Sequence, residues 1–111
     1  MEDLIFNQEK ALSIADNDAD LVRELLGLFF EEKESMLTAL SEAIEKQDSP
    51  ALQLTAHSIK GSLSNLGAQK AAAVAFELEQ HGEQGSFDNV SILFVQLIQE
   101  ISSFEEAVKG F

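Results

Sequence analysis

The sequence predicts an all-α fold: an antiparallel up-down four-helix bundle with a short extra N-terminal helix. Apolar residues recur at three- and four-residue steps, and only one proline and six glycines interrupt the chain. Connections of roughly two to five residues join the long segments, which favours antiparallel neighbours. With 111 residues, 45% of them hydrophobic, we expect residues 1–111 to form a single domain around one core.

Capping residues predict where the first two helices begin. Asn7 can cap a short helix that runs through Ile14, and Asp16 or Asp18 can cap the next one. The apolar stripe of this second helix weakens near Glu32, which allows a kink or a locally exposed turn there. The stripe consists of Val22, Leu25, Leu26, Phe29, Met36, Leu37, Leu40 and Ile44.

The third helix is predicted to run from Pro50 to about Leu66. Proline is tolerated in a first turn, and Gly67 provides a left-handed cap at the other end. The side chains on its inward stripe are Leu52, Ala56, Ile59, Leu63 and Leu66.

Glycines and apolar spacing predict the last two helices. The fourth runs from about Gln69 to His81, with Gly82 and Gly85 ending it, and the fifth begins near Ser86. A cation in the last turn of a helix interacts favourably with the helix dipole, so we interpret His81 as structural. The fifth helix carries Phe87, Val90, Phe94, Leu97, Ile98, Ile101, Phe104 and Val108.

Composition excludes several classes of partner. Twenty acidic residues against seven basic ones give a formal net charge of −13, which repels nucleic acid and anionic lipid. No apolar run approaches the length of a membrane span, and the first residues lack the pattern of a signal peptide. The absence of cysteine removes thiolate metal sites and cysteine nucleophiles and suits the cytoplasm, which is the location we predict.

The third helix carries an outward-facing group of polar residues. At about 100° per residue, His57 lies roughly 160° from Ile59 and therefore faces solvent. Lys60 and Gly61, three and four residues on, are its neighbours on the helix surface. A mid-helix glycine costs about 1 kcal/mol relative to alanine, and clearing space beside His57 would explain it. A nucleophilic imidazole, an ammonium and open access together suit phosphoryl chemistry.

Other residues of the same helix surface are candidates for contact with a partner. Gln53 and Ser64 lie on the outer face near His57, and Leu54 could add an apolar contact. We interpret these three residues as a possible docking rim.

The stretch AHSIKGS at 56–62, continuing through NLGA at 65–68, resembles the signature of histidine phosphotransfer (HPt) domains of bacterial phosphorelays. The resemblance extends to the helix plan of most of the chain. It implies that His57 accepts a phosphoryl group on Nε2 from a receiver-domain phospho-aspartate and passes it to another receiver aspartate. Lys60 would steady the phosphoryl charge, Gly61 would keep the approach open, and Glu79 would orient the ring through Nδ1–H.

The resemblance also implies which partners and groups the domain needs. The partners would be response-regulator receiver domains and, as a further candidate, a hybrid sensor histidine kinase. We expect the protein to bind them as a monomer. The receiver would bring Mg²⁺ and the aspartate, so we expect no cofactor and no metal in this chain and no autonomous kinase activity. No glycine-rich phosphate loop is present in the sequence.

Three alternatives compete with this interpretation. The acidic run 16–20 resembles the start of a calcium loop, but Leu21 and Gly27 stand where such a loop needs glycine and glutamate. An acyl-carrier-like protein is also small, acidic and helical, although Asp48-Ser49-Pro50 matches its modified-serine motif poorly. An acidic helical interaction bundle without phosphotransfer would leave Gly61 unexplained.

Overall fold

A computed structural model describes residues 3–111, which form five α-helices and no strand. The helices are α1 (Gln8–Ile14), α2 (Ala19–Glu45), α3 (Ser49–Asn65), α4 (Gln69–Gln84) and α5 (Val90–Ala107). Helix α3 packs against α2 and α4, and α5 packs against α4 and α2. Four long helices therefore form a bundle in which α3 and α5 occupy diagonal corners, with α1 as the short additional helix, as the sequence predicts.

Side-chain caps begin the first three helices. Asn7 accepts a hydrogen bond from the backbone N–H of Lys10, and Asp48 accepts one from Ala51. At the start of α2 the cap is Asp18 and not Asp16, which has a left-handed backbone with φ of 53°. These bonds satisfy backbone donors that a helix leaves free in its first turn.

Helix α2 is continuous where the apolar stripe weakens. Glu32 is exposed there, and the neighbouring Lys33 forms a 3.0 Å ion pair with Glu105 of α5. The ion pair gives this turn of α2 a contact with the bundle that its apolar residues do not provide.

The predicted boundaries of α4 and α5 were wrong. Helix α4 continues through Gly82 and ends at Gln84, and Gly85 alone is the left-handed cap, with φ of 68°. Gly82 lies inside the helix at a point where α3 passes too close for a side chain. Helix α5 begins at Val90 and not near Ser86, since the left-handed Asn89, with φ of 61°, interrupts the helical backbone before it.

The core is built from one face of each helix. All five residues predicted for the inward stripe of α3 are buried. Two other assignments were wrong: Leu25 of α2 and Ile98 of α5 are exposed, because their neighbours Leu26 and Leu97, which were also assigned to the stripes, occupy the buried positions. Five aromatic side chains stack edge to face or tilted on one another, namely Phe6, Phe29, Phe30, Phe104 and Phe111.

The segment before α1 is tied to the turn between α3 and α4. Asn7 N–H donates to the carbonyl of Gly67, and Lys70 N–H donates to the carbonyl of Leu4. Gly67 has a positive φ of 78°, which glycine adopts without strain. Within residues 3–111, none of the helices has the length and apolar character that crossing a bilayer requires.

Candidate functional site

The candidate site lies about one helical turn from a close approach between α3 and α4. A Cβ atom added to Gly82 would lie 2.5 Å from the backbone nitrogen of Gln53 and 2.7 Å from its Cα. Glycine therefore allows the two backbones to come nearly into contact. The consequence is that side chains of α4 reach those on the outer side of α3.

His57 is exposed, and one edge of its ring is held by α4. Its side chain is 61% exposed, which agrees with the solvent-facing orientation predicted from helical spacing. The Nδ1 atom lies 2.8 Å from Oε2 of Glu79. The structure thus brings His57 and Glu79 together, as the family resemblance implies.

Glu79 is the one buried charged residue in the part of the chain that the structure describes. Its pKa is lowered from the usual value of 4.5: the Lys60 ammonium is the main cause, burial opposes it, and the hydrogen bond with His57 lowers the pKa further. The carboxylate is therefore ionised at neutral pH and can only accept hydrogen bonds. It follows that His57 Nδ1 carries a hydrogen and donates a hydrogen bond to the carboxylate. In the neutral ring this leaves Nε2 as the nitrogen with a free lone pair.

Lys60 is less free than its position on the helix surface suggests. Its ammonium lies 2.6 Å from Oε1 of Glu79, so the two oxygens of one carboxylate serve Lys60 and His57 separately. The same ammonium lies 5.1 Å from the centre of the Phe76 ring, which is within the range of a cation–π contact. Only 26% of the Lys60 side chain is exposed.

Phe76 was missed by the sequence analysis. It lies three residues before Glu79, so both side chains project from neighbouring positions of α4. The usable signal was an aromatic residue between the inward positions Ala75 and Leu78, at a position where helical spacing predicts exposure.

The other predicted site residues lie around the ring as follows. An added Cβ atom at Gly61 would have nothing within 4 Å, so the space one turn from His57 is open. Leu54 is 68% exposed, while Gln53 and Ser64 are half-buried. A shallow depression beside the imidazole is lined by Pro50, Gln53, Leu54 and His57.

The sequence analysis did not foresee an apolar groove that is lined by residues of α1, α2 and α3. It lies between α1, α2 and α3, and the apolar side chains Leu25, Leu28 and Ile14 at its edge are exposed. Asn65, which lines the groove, is four residues beyond Gly61, as Gly61 is four beyond His57. Residues spaced by four are neighbours on a helix surface, so Gly61 lies between His57 and Asn65 along α3.

His81 and the acidic run 16–20 lie in or next to helix ends. His81 lies in the last turn of α4, half-buried. In the acidic run 16–20, Asp18 caps α2 and Asp20 forms an ion pair of 2.8 Å with Arg23. Among residues 3–111 no three acidic or histidine side chains are grouped so that they could hold a metal ion.

Comparison with known proteins identifies the family of the chain. The family model of the Hpt domain matches residues 24–107, which include α3, α4 and most of α2. The chain belongs to the Hpt family. Its structure is similar to the crystal structure of histidine-containing phosphotransfer protein B (HptB) from Pseudomonas aeruginosa PAO1, with a TM-score of 0.84 and 27% sequence identity over 99% of each chain. No curated protein matches the sequence.

The family assignment defines the role of this Hpt domain. It is a phosphocarrier module with a histidine phosphotransfer role in two-component signalling. Family membership also implies that its partners are receiver domains and kinases of phosphorelays.

Proposed function

We propose that His57 is the phosphoryl-accepting histidine and that it takes the group from a receiver-domain phospho-aspartate and passes it to another receiver aspartate. The observation that supports this most directly is the hydrogen bond of 2.8 Å between Nδ1 and the buried carboxylate of Glu79 on an otherwise exposed ring. With Nδ1 turned toward α4, the exposed edge of the ring is the one that contains Nε2. The nucleophilic nitrogen is thus both unprotonated and accessible.

The transfer step needs little from the bundle beyond this position. The Nε2 lone pair attacks phosphorus, and the bond between phosphorus and the receiver's aspartate oxygen breaks, with its electron pair returning to the carboxylate. No proton has to move, because Nδ1 keeps its hydrogen, which remains hydrogen-bonded to Glu79. In this proposal the receiver supplies Mg²⁺ and the aspartate, and the bundle has no kinase activity of its own.

The receiver would dock over the face that carries His57. Gly61 leaves room for its backbone, while Gln53, Leu54 and Ser64 would form a rim around the ring. The groove edged by Leu28, which Asn65 of α3 also lines, offers apolar area of the kind that forms the centre of docking surfaces. The same residues would serve successive receivers or a hybrid sensor kinase, one at a time.

We further propose that the protein is a cytoplasmic monomer. A net charge of −13 opposes self-association through mutual repulsion of the copies. Sedimentation at several protein concentrations is the test, and a mass that rises toward twice 12.1 kDa would contradict the monomer.

The experiment for the phosphorylation site is uptake of phosphate from a phosphorylated receiver, followed by intact mass. The sequence contains two histidines, so His81→Gln is the matched control for His57→Gln. We expect wild type and His81→Gln to gain one phosphate, and His57→Gln to gain none while keeping its helical circular dichroism. An acid-labile phosphate on folded His57→Gln would contradict the assignment.

A further inference from the structure

Lys60 has two partners in the structure, and neither is His57. Its ammonium contacts Glu79 Oε1 at 2.6 Å and lies over the Phe76 ring. The lysine is therefore held beside the imidazole while the imidazole is unmodified. A phosphoryl group at Nε2 would be a third partner that competes with Glu79 for the same ammonium.

The charges of the site supply a reason for such an exchange. With His57 neutral, the negative Glu79 and the positive Lys60 balance each other. Phosphorylation at Nε2 with the proton retained on Nδ1 makes the ring a cation and adds about two negative charges on the phosphoryl oxygens. The ring cation then balances Glu79 through the existing Nδ1–H contact, and the unbalanced negative charge is on the phosphoryl group.

We propose that Lys60 exchanges partners during the phosphotransfer cycle. It pairs with Glu79 while His57 is free and with the phosphoryl group when His57 is phosphorylated, and Phe76 is the positioning residue that keeps the ammonium beside the ring in both states. The inference rests on the proposed function, because it requires the phosphoryl group to be on His57.

Phe76 suits this positioning role for two reasons. It is 46% exposed, so packing in the core does not account for an aromatic residue at this position. The centre of its ring lies 5.1 Å from the Lys60 ammonium. In a cation–π contact the ring face attracts the positive charge as a whole, so the contact does not depend on where the individual N–H groups point. The ammonium can therefore turn its N–H groups from the carboxylate to a phosphoryl oxygen without leaving the ring.

The exchange can be tested without a receiver, by phosphorylating the protein with the small phosphodonor phosphoramidate. The first measurement is the ¹³C resonance of the Glu79 carboxyl at about pH 8, in wild type and in Lys60→Ala. Removing the ammonium should move this resonance clearly in the free protein and by less than about half as much in the phosphorylated protein. An equal displacement in the two states would overturn the exchange.

The second measurement is the ³¹P titration of the phosphohistidine. An ammonium that contacts the phosphoryl group favours its more negative form, so Lys60→Ala should raise the titration midpoint by about half a unit or more. An unchanged midpoint would also overturn the exchange. A phosphohistidine signal in His57→Gln would instead contradict the proposed function, which separates the two failures.

Phe76 is tested with a pair of variants that differ in the aromatic face. Phe76→Tyr keeps the ring, whereas Phe76→Leu keeps an apolar side chain without it. Because an exposed cation–π contact contributes about a two- to fivefold factor, Phe76→Leu should slow phosphotransfer by about that factor and reproduce part of the ³¹P displacement of Lys60→Ala. Phe76→Tyr should stay near wild type in both measurements. Equal behaviour of the two variants would remove Phe76 from the positioning role.

Discussion

At the scale of single residues, Glu79 combines two contacts that a neutral side chain could not make together. One oxygen accepts the hydrogen bond from His57 Nδ1, and the other forms the ion pair with Lys60. An amide at this position could still accept from Nδ1, but it would carry no charge to hold the ammonium. A glutamate therefore connects the tautomer of the nucleophile to the position of the nearest cation.

The tautomer of His57 should depend on this contact. Replacing Glu79 with alanine removes the acceptor, so we expect a smaller fraction of the tautomer protonated at Nδ1, whereas Glu79→Gln should have a mild effect because its amide oxygen can accept. Nitrogen-15 NMR of the imidazole gives the ratio directly, with His81 in the same sample as an internal reference. An identical ratio in wild type and Glu79→Ala would show that the carboxylate does not orient the ring.

At the scale of the helices, glycines have opposite functions at different positions. Gly27 in α2 and Gly61 in α3 face open space, with nothing within 4 Å of an added Cβ. Gly82 in α4 lies against the backbone of Gln53. The first two therefore lower helix stability without a packing benefit, while the third permits the close approach of α3 and α4.

Gly61 should show opposite effects on stability and on phosphotransfer. Alanine there, and equally at the control position Gly27, should stabilise the fold by about 0.5–1 kcal/mol, because each is a mid-helix glycine with an ordinary helical backbone. Gly61→Gln should fold at least as well as wild type and yet transfer phosphate much more slowly, because its side chain fills the space beside His57. Thermal unfolding and transfer kinetics are the paired measurements. Wild-type transfer by a stable Gly61→Gln variant would contradict a role in docking.

Gly82→Ala should have the reverse effect. Its methyl group would meet backbone atoms of Gln53, which cannot rotate away, so the two helices have to separate. Overpacking of this kind typically costs about 1–3 kcal/mol. We expect a lower urea midpoint and a weaker His57–Glu79 hydrogen bond by NMR, whereas Gly27→Ala should raise the midpoint. A variant as stable as wild type would mean that α3 and α4 tolerate a wider spacing.

At the scale of the whole molecule, the exposed acidic residues and the buried carboxylate of Glu79 respond differently to pH. Glu79 is distinguished from the many exposed acidic residues by its burial and its partners. The pKa of Glu79 is lowered from 4.5, chiefly by the Lys60 ammonium. A carboxyl whose pKa is lower in the folded state stabilises the fold above its unfolded pKa, and this stabilisation is lost as the pH falls through the folded pKa.

The stability difference between wild type and Glu79→Gln should therefore depend on pH. We expect wild type to have the larger free energy of unfolding at pH 5–7, and the difference to shrink below about pH 4.5 as Glu79 takes up a proton. Urea unfolding of both proteins from pH 7 to pH 3 measures it, and surface carboxylates cancel because both proteins share them. A difference that stays constant over this range would contradict a stabilising Glu79 carboxylate.

The amino-acid sequence by itself determined the helical class, the cap at Asn7, and the outward orientation of His57 with Gly61 beside it. These features depend on the helical period and on backbone preferences within a few residues, which a sequence displays directly. Only the tertiary structure decided that Lys60 pairs with Glu79 over Phe76 and that Gly82 belongs inside α4. Those features depend on how closely two helices approach and in which register, and that is set by the packing of side chains distant in sequence.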